Sequence, residues 1–95
     1  ILGYRSRNAS EFIKIDAVYP VDAGQTPISA LILKGDPNAD ATAWTQILGY
    51  IGYAVQQGDP DATYAFNLIV NNGLPLTEEN YWQIRNEHAR ANGRI

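Results

Sequence analysis

The residues able to do chemistry in this chain are few. His88 is the single histidine in 95 residues. With Arg85 and Arg90 close to it in sequence, it is a candidate general acid or base. Glu87 stands next to it, but neighbouring residues on a helix point away from each other, so Glu87 does not orient the imidazole. A cation in the last turn of a helix is also stabilising without any catalysis. Asp36, Asp40, Asp59 and Asp61 invite a calcium reading. Calcium loops alternate oxygen ligands around a central glycine and close on a glutamate, and none of that spacing is present. No His-x-x-x-His or Glu-x-x-His pair offers a transition-metal site. The glycines form neither a dinucleotide fingerprint nor a phosphate loop. The absence of cysteine removes disulfides, thiolate metal sites and a thiol nucleophile. The expectation is a chain with no catalytic residues, no metal and no cofactor.

The aromatic residues say more. Tyr50, Tyr53, Tyr64, Tyr81 and Trp82 all fall where helices are predicted. Gln46, Tyr50, Tyr53 and Gln57 form a stripe beside an apolar one. Gly49 and Gly52 interrupt the same helix, where each costs roughly 1 kcal/mol against alanine. Close approach of another backbone is the expected compensation. Tyr and Trp are enriched at protein interfaces because they join a large apolar area to a polar tip. The plainer alternative is that these rings border the core and hold their tips in water.

Charge narrows the classes of partner. Ten acidic and seven basic residues leave a net charge of −3, and the only lysines are Lys14 and Lys34. Binding to phosphate backbones needs Lys and Arg in number, so nucleic acid is disfavoured. No apolar run approaches the roughly 20 residues that span a bilayer, and no membrane partner is expected. The segment Ile1–Ser10 carries two arginines and lacks the apolar stretch of a signal peptide.

These residues need elements to position them. Ile1–Ser10 reads as an extended arm around Tyr4, Arg5 and Arg7. Its Asn8-Ala9-Ser10 triplet matches a glycosylation acceptor, a pattern that also arises by chance. Glu11–Val21 alternates with period two, placing Ile13, Ile15, Ala17 and Tyr19 on one face, and predicts a strand. Asp22–Pro27 reads as a turn, and Ile28–Leu33 as a second strand completing a hairpin. Asp36-Pro37 supplies an N-cap and a first-turn proline for a helix over about 37–57, with Trp44, Ile47, Leu48, Ile51 and Val55 as its apolar stripe. Gly58 fits a left-handed helix end. Asp59-Pro60 starts a second helix over about 60–72, with Ala62, Ala65, Phe66, Ile69 and Val70 facing inward. Thr77 caps a third over about 77–92, with Leu76 placed to staple onto Tyr81. The echo of Gly35-Asp36-Pro37 in Gly58-Asp59-Pro60 reads as stop-and-start chemistry rather than as a repeat.

The predicted fold is α+β: an N-terminal arm and β-hairpin packed on three short C-terminal α-helices. Residues 1–10 form the arm and 11–95 a single domain, with the hairpin at 11–33. Trp44, Ile47, Leu48, Ile51, Phe66, Ile69 and Ile84 are expected to share one core with Ile13 and Ile15. The predicted function is a non-enzymatic interaction or structural module of a larger assembly. It would meet protein chains in a homo- or hetero-oligomer through Tyr4, Arg5, Arg7, Gly49, Tyr50, Gly52 and Tyr53. Virion and phage assembly proteins combine such arms with small helical bodies, an analogy of architecture alone. Two alternatives stand beside this. One is a small enzyme or ligand binder with a pocket between hairpin and helices, using Asp16, Tyr53, Arg85 or His88. The other is a nucleic-acid-binding regulator using Arg5, Arg7, Arg85, Arg90 and Arg94.

Overall fold

The computed structural model describes residues 2–21 and 24–95, with side chains from Ser10 onward. Among these residues five α-helices follow one another: α1 (Leu2–Val18), α2 (Ile28–Gly35), α3 (Ala41–Gln56), α4 (Pro60–Asn71) and α5 (Glu78–Ala91). No strand occurs among the described residues. The α+β expectation is thus replaced by an all-helical fold. α1 runs through the expected arm and the first strand, and α2 takes the place of the second. Ile1, and Asp22 and Ala23 of the expected turn, lie outside the described residues.

The first two segments carry two periodicities at once, and the helical one is the one that packs. Phe12 and Ile15 are buried and Tyr19 is half-buried, at spacings of three and four, whereas Ile13 is 67% exposed. In α2 the buried residues are Ile28, Leu31 and Ile32. An apolar run this short does not separate helix from strand by itself. α2 has no side-chain cap of its own. Asp16 of α1 supplies one: its carboxylate accepts the Ser29 backbone N–H at 2.9 Å and the Ser29 hydroxyl at 2.6 Å. A donor orphaned in the first turn is satisfied from another helix, so the start signal of α2 is tertiary.

The later helices follow their local signals more closely. α3 nevertheless begins at Ala41 rather than near residue 37. Asp36 terminates α2, donating its N–H to the Ile32 carbonyl at 3.0 Å while its side chain accepts from the Asn38 N–H at 3.0 Å. The cap of α3 is Asp40, which accepts from Thr42 N–H at 2.8 Å and Ala43 N–H at 3.4 Å. At the next junction Gly58 takes φ +85°, a backbone state other residues rarely adopt. Asp59 then accepts from the N–H groups of Asp61 and Ala62 at 2.9 and 3.2 Å, with Pro60 in the first turn. Thr77 caps α5 by accepting from Asn80 N–H at 3.0 Å.

α4 and α5 lie antiparallel, since Asp59 and Asp61 at the start of α4 meet Arg85, His88 and Arg94 toward the end of the chain. α3 packs on α4 on one side and on α1 on another, and α1 also packs on α2. α2 is tied to the connection before α5 by Leu76 N–H to the Leu31 carbonyl at 3.0 Å. The most deeply buried side chains are Ile28, Leu31, Ile32, Leu48, Ile51, Ile69 and Leu76. Of the predicted core, Ile15, Trp44, Leu48, Ile51 and Ile69 are buried, and Ile47, Phe66 and Ile84 border it. Ile13 points to solvent. Among the described residues no helix is long and apolar enough to cross a membrane.

Candidate interaction surface

α3 buries Ala41, Trp44, Leu48 and Ile51. Its opposite face is exposed and uncharged. Thr42, Thr45, Gly49, Tyr53 and Gln56 recur at spacings of three and four, so they form one stripe, and all five are exposed. No Asp, Glu, Lys or Arg occurs anywhere in the helix. At 1.5 Å per residue this face is about 24 Å long. Tyr50 and Tyr53 are 56% and 62% exposed.

Neighbouring helices extend the surface on both sides. Toward α1, Val18, Tyr19, Gly49, Tyr53 and Gln56 border a shallow groove of about 650 Å³. The Tyr19 ring lies over Gly52, where an added Cβ would stand 3.3 Å from the ring. Burial there pushes the Tyr19 phenol above its ordinary value. Gly49 has open space over its Cα, with nothing within 4 Å of an added Cβ. The expected close approach therefore exists at Gly52, made by a side chain, and not at Gly49. Toward α5, Tyr50 meets Trp82 with ring centroids 5.9 Å apart, beside a groove of about 300 Å³ bordered by Gln46, Ile47 and Glu78. Trp82 is held by the edge of Tyr81 at 5.2 Å and by the Arg85 guanidinium 5.7 Å from its ring centre. Such cation–π contact favours a fixed ring.

Gly49, Tyr50 and Tyr53 are exposed on this surface, and Gly52 lies beneath the Tyr19 ring. The structure adds Val18, Tyr19 and Trp82, which sequence reasoning did not place there. Tyr4, Arg5 and Arg7 fall in the first two turns of α1, and their side chains lie outside the described residues.

A second, polar constellation lies where α4 begins and the chain ends. Asp61 is the one buried charged residue of the described core, at 3% exposure. Its carboxylate accepts from Arg94 Nε at 2.9 Å and Nη2 at 2.7 Å, and stands 2.8 Å from His88 Nδ1. Gly93, at φ +74°, turns the chain so that Arg94 reaches back to α4. The hydrogen bonds from Arg94 hold the Asp61 carboxyl well below the usual carboxylate range. Burial opposes this, and the bond to His88 adds to the lowering. A carboxylate can only accept, so His88 donates from Nδ1 and leaves Nε2 as the acceptor when the ring is neutral. Tyr64 stacks on the imidazole at 4.0 Å, and Arg85 pairs with Asp59 at 3.4 Å.

Such an acid–base pair could move a proton through Nε2. None of the described grooves is bordered by His88, Asp61 or Tyr64. Asp16, Tyr53, Arg85 and His88, the residues of the small-enzyme alternative, are engaged separately: Asp16 at the start of α2, Tyr53 on the face of α3, Arg85 with Asp59 and His88 with Asp61. Among the described residues no three His, Asp or Glu side chains converge in a way that could hold a metal ion. Local sequence does not display the cluster, because Asp61 stands 27 and 33 positions from His88 and Arg94. The available signal was the acidic first turn of α4 facing the basic last turn of α5, as a short antiparallel connection demands. No protein-family model matches the chain, and no curated protein or solved structure matches it either.

Proposed function

We propose that this chain is a non-enzymatic protein-interaction module of a larger assembly, docking through the exposed face of α3. The observation that carries this reading is an uncharged helix face with two exposed tyrosines, flanked by a braced tryptophan. The cores of protein interfaces are depleted in charge and enriched in Tyr and Trp. A ring already held in place loses little side-chain freedom on docking, which lowers the entropic cost of binding. Two of the five arginines of the nucleic-acid alternative, Arg85 and Arg94, are paired with Asp59 and Asp61, which leaves them less available to phosphates.

The test is light scattering on wild type and Tyr53→Ala, alone at several concentrations and with any native chain that copurifies. The wild type should show a mass above its 10.5 kDa monomer. Tyr53→Ala should move toward the monomer with an unchanged melting temperature at low concentration, since truncating a central aromatic often costs more than about 2 kcal/mol of binding. A wild type that stays monomeric under every condition, or a Tyr53→Ala variant that simply unfolds, would overturn the proposal.

A further inference from the structure

We infer that the occupant of the α3 face is a second copy of this chain, lying antiparallel about a two-fold axis through Gly49. This rests on the docking reading above and names its partner. In a two-fold interface residue i of one copy meets j of the other, and j meets i. Gly49 lies at the middle of α3, which spans Ala41–Gln56. An axis there sets Thr45 opposite Tyr53 and Thr42 opposite Gln56, a short side chain against a longer one each time. The pattern is therefore complementary to itself when reversed. At the crossing point Gly49 presents open space over its Cα, so two helices can approach to the lower end of the usual interaxial range of about 8–10 Å.

Charge favours the same occupant. Two copies each carrying −3 repel across most of their surfaces, and a face meeting its own image must bring no like charges together. The stripe from Thr42 to Gln56 meets that condition. The flanking charges toward α1, Glu11 and Lys14, pair with each other at 3.3 Å, and toward α5 Glu78 borders the Trp82 groove outside the stripe. The antiparallel arrangement also sets each helix dipole against its opposite. Area agrees. Aromatic side chains bring about 150–250 Å² each. At 56%, 62% and 37% exposure, Tyr50, Tyr53 and Trp82 leave on the order of 300 Å² uncovered. That is more than a third of the about 800 Å² per partner of a standard interface, before Thr42, Thr45, Gly49 and Gln56 are added.

The absence of cysteine makes the geometry directly testable. Single variants Gly49→Cys, Thr42→Cys and Gln56→Cys are oxidised mildly, and the wild type is run in sedimentation equilibrium up to about 1 mM. Seven residues of helix separate positions 42 and 49 by about 10 Å, so two copies of position 42 stand about 20 Å apart. A disulfide needs Cα atoms within about 7 Å. Gly49→Cys should become a covalent dimer. Thr42→Cys and Gln56→Cys should each form no covalent dimer alone and a mixed disulfide-linked dimer when combined. The wild type should fit a monomer–dimer equilibrium. Thr42→Cys linking to itself as fast as Gly49→Cys would overturn the antiparallel axis, and an ideal wild-type monomer at about 1 mM would overturn self-association. A wild type monomeric alone but gaining mass with a copurifying chain, through Tyr53, would overturn this inference while supporting the docking reading. No association of any kind would overturn both.

Discussion

Replacing Gly49 by alanine pulls the stability of the single chain and its association in opposite directions. Glycine in an exposed helix interior is about 0.8–1.0 kcal/mol less favourable than alanine. The added Cβ would meet nothing within 4 Å, so no contact subtracts from that gain. For a chain of this length 1 kcal/mol corresponds to about 4–8 °C in melting temperature. Gly49→Ala should therefore melt several degrees higher when circular dichroism is followed at a few micromolar, where the monomer prevails. The same methyl group would stand at the helix crossing of the two-fold pair and hold the backbones apart, so the dimer should dissociate more readily. Gly52→Ala is the internal control. Its Cβ would lie 3.3 Å from the Tyr19 ring, which must give way, so its gain should be smaller. A Gly49→Ala melting temperature equal to or below wild type at low concentration would refute the claim that this face is uncovered in the single chain. A dimer left unchanged would refute the crossing at Gly49.

Three further substitutions probe the parts that hold the face in place. Leu48→Ala, removing a side chain with no exposed area opposite the stripe, should cost about 2–5 kcal/mol in urea denaturation. Loss of less than about 1 kcal/mol would mean that α3 is not anchored through that residue. Asp59→Ala removes the cap of α4 and should cost about 0.5–2 kcal/mol, while calcium titration of the wild type by calorimetry should show no heat above dilution; saturable heat lost in Asp59→Ala would reverse the capping assignment. Asp61 has a carboxyl pKa lowered by folding. Its contribution to stability is full above the ordinary value of about 3.9 and is lost as pH falls from there toward the lower folded value. Asp61→Asn should be less stable than wild type at neutral pH, and the gap should narrow in acid; a constant gap would show that the Arg94 and His88 contacts do not depend on the charge.

The C-terminal half was legible because its signals are local. Gly58 followed by Asp59-Pro60 ends one helix and starts the next from residues within a single turn, and Thr77 caps α5 through its own third neighbour. Asp36-Pro37 looks the same in sequence, yet Asp40 does the capping, because Asp36 is already used to close α2 and to bond Asn38. The N-terminal half was misread because Ile13, Ile15, Ala17 and Tyr19 satisfy period two while Phe12, Ile15 and Tyr19 satisfy the helical period. Only the packing of α2 and α3 decides between them. The Asp16 cap on Ser29 is a contact across 13 positions that no window of local sequence displays. On the candidate face, Gly49, Tyr50, Gly52 and Tyr53 were visible as a helical pattern. Val18, Tyr19 and Trp82 were not, since their place beside α3 follows from how α1 and α5 pack.

Self-association through α3 is tested most directly by a dilution series followed by backbone amide and Trp indole resonances, from about 1 mM to about 20 µM. Concentration-dependent shifts should be confined to Thr42–Gln56 along the exposed stripe, to Val18 and Tyr19, and to the indole of Trp82, with Asp61, His88 and Arg94 unmoved. Spectra that do not change with concentration, or shifts centred on the α4–α5 polar cluster while the α3 stripe stays still, would contradict it.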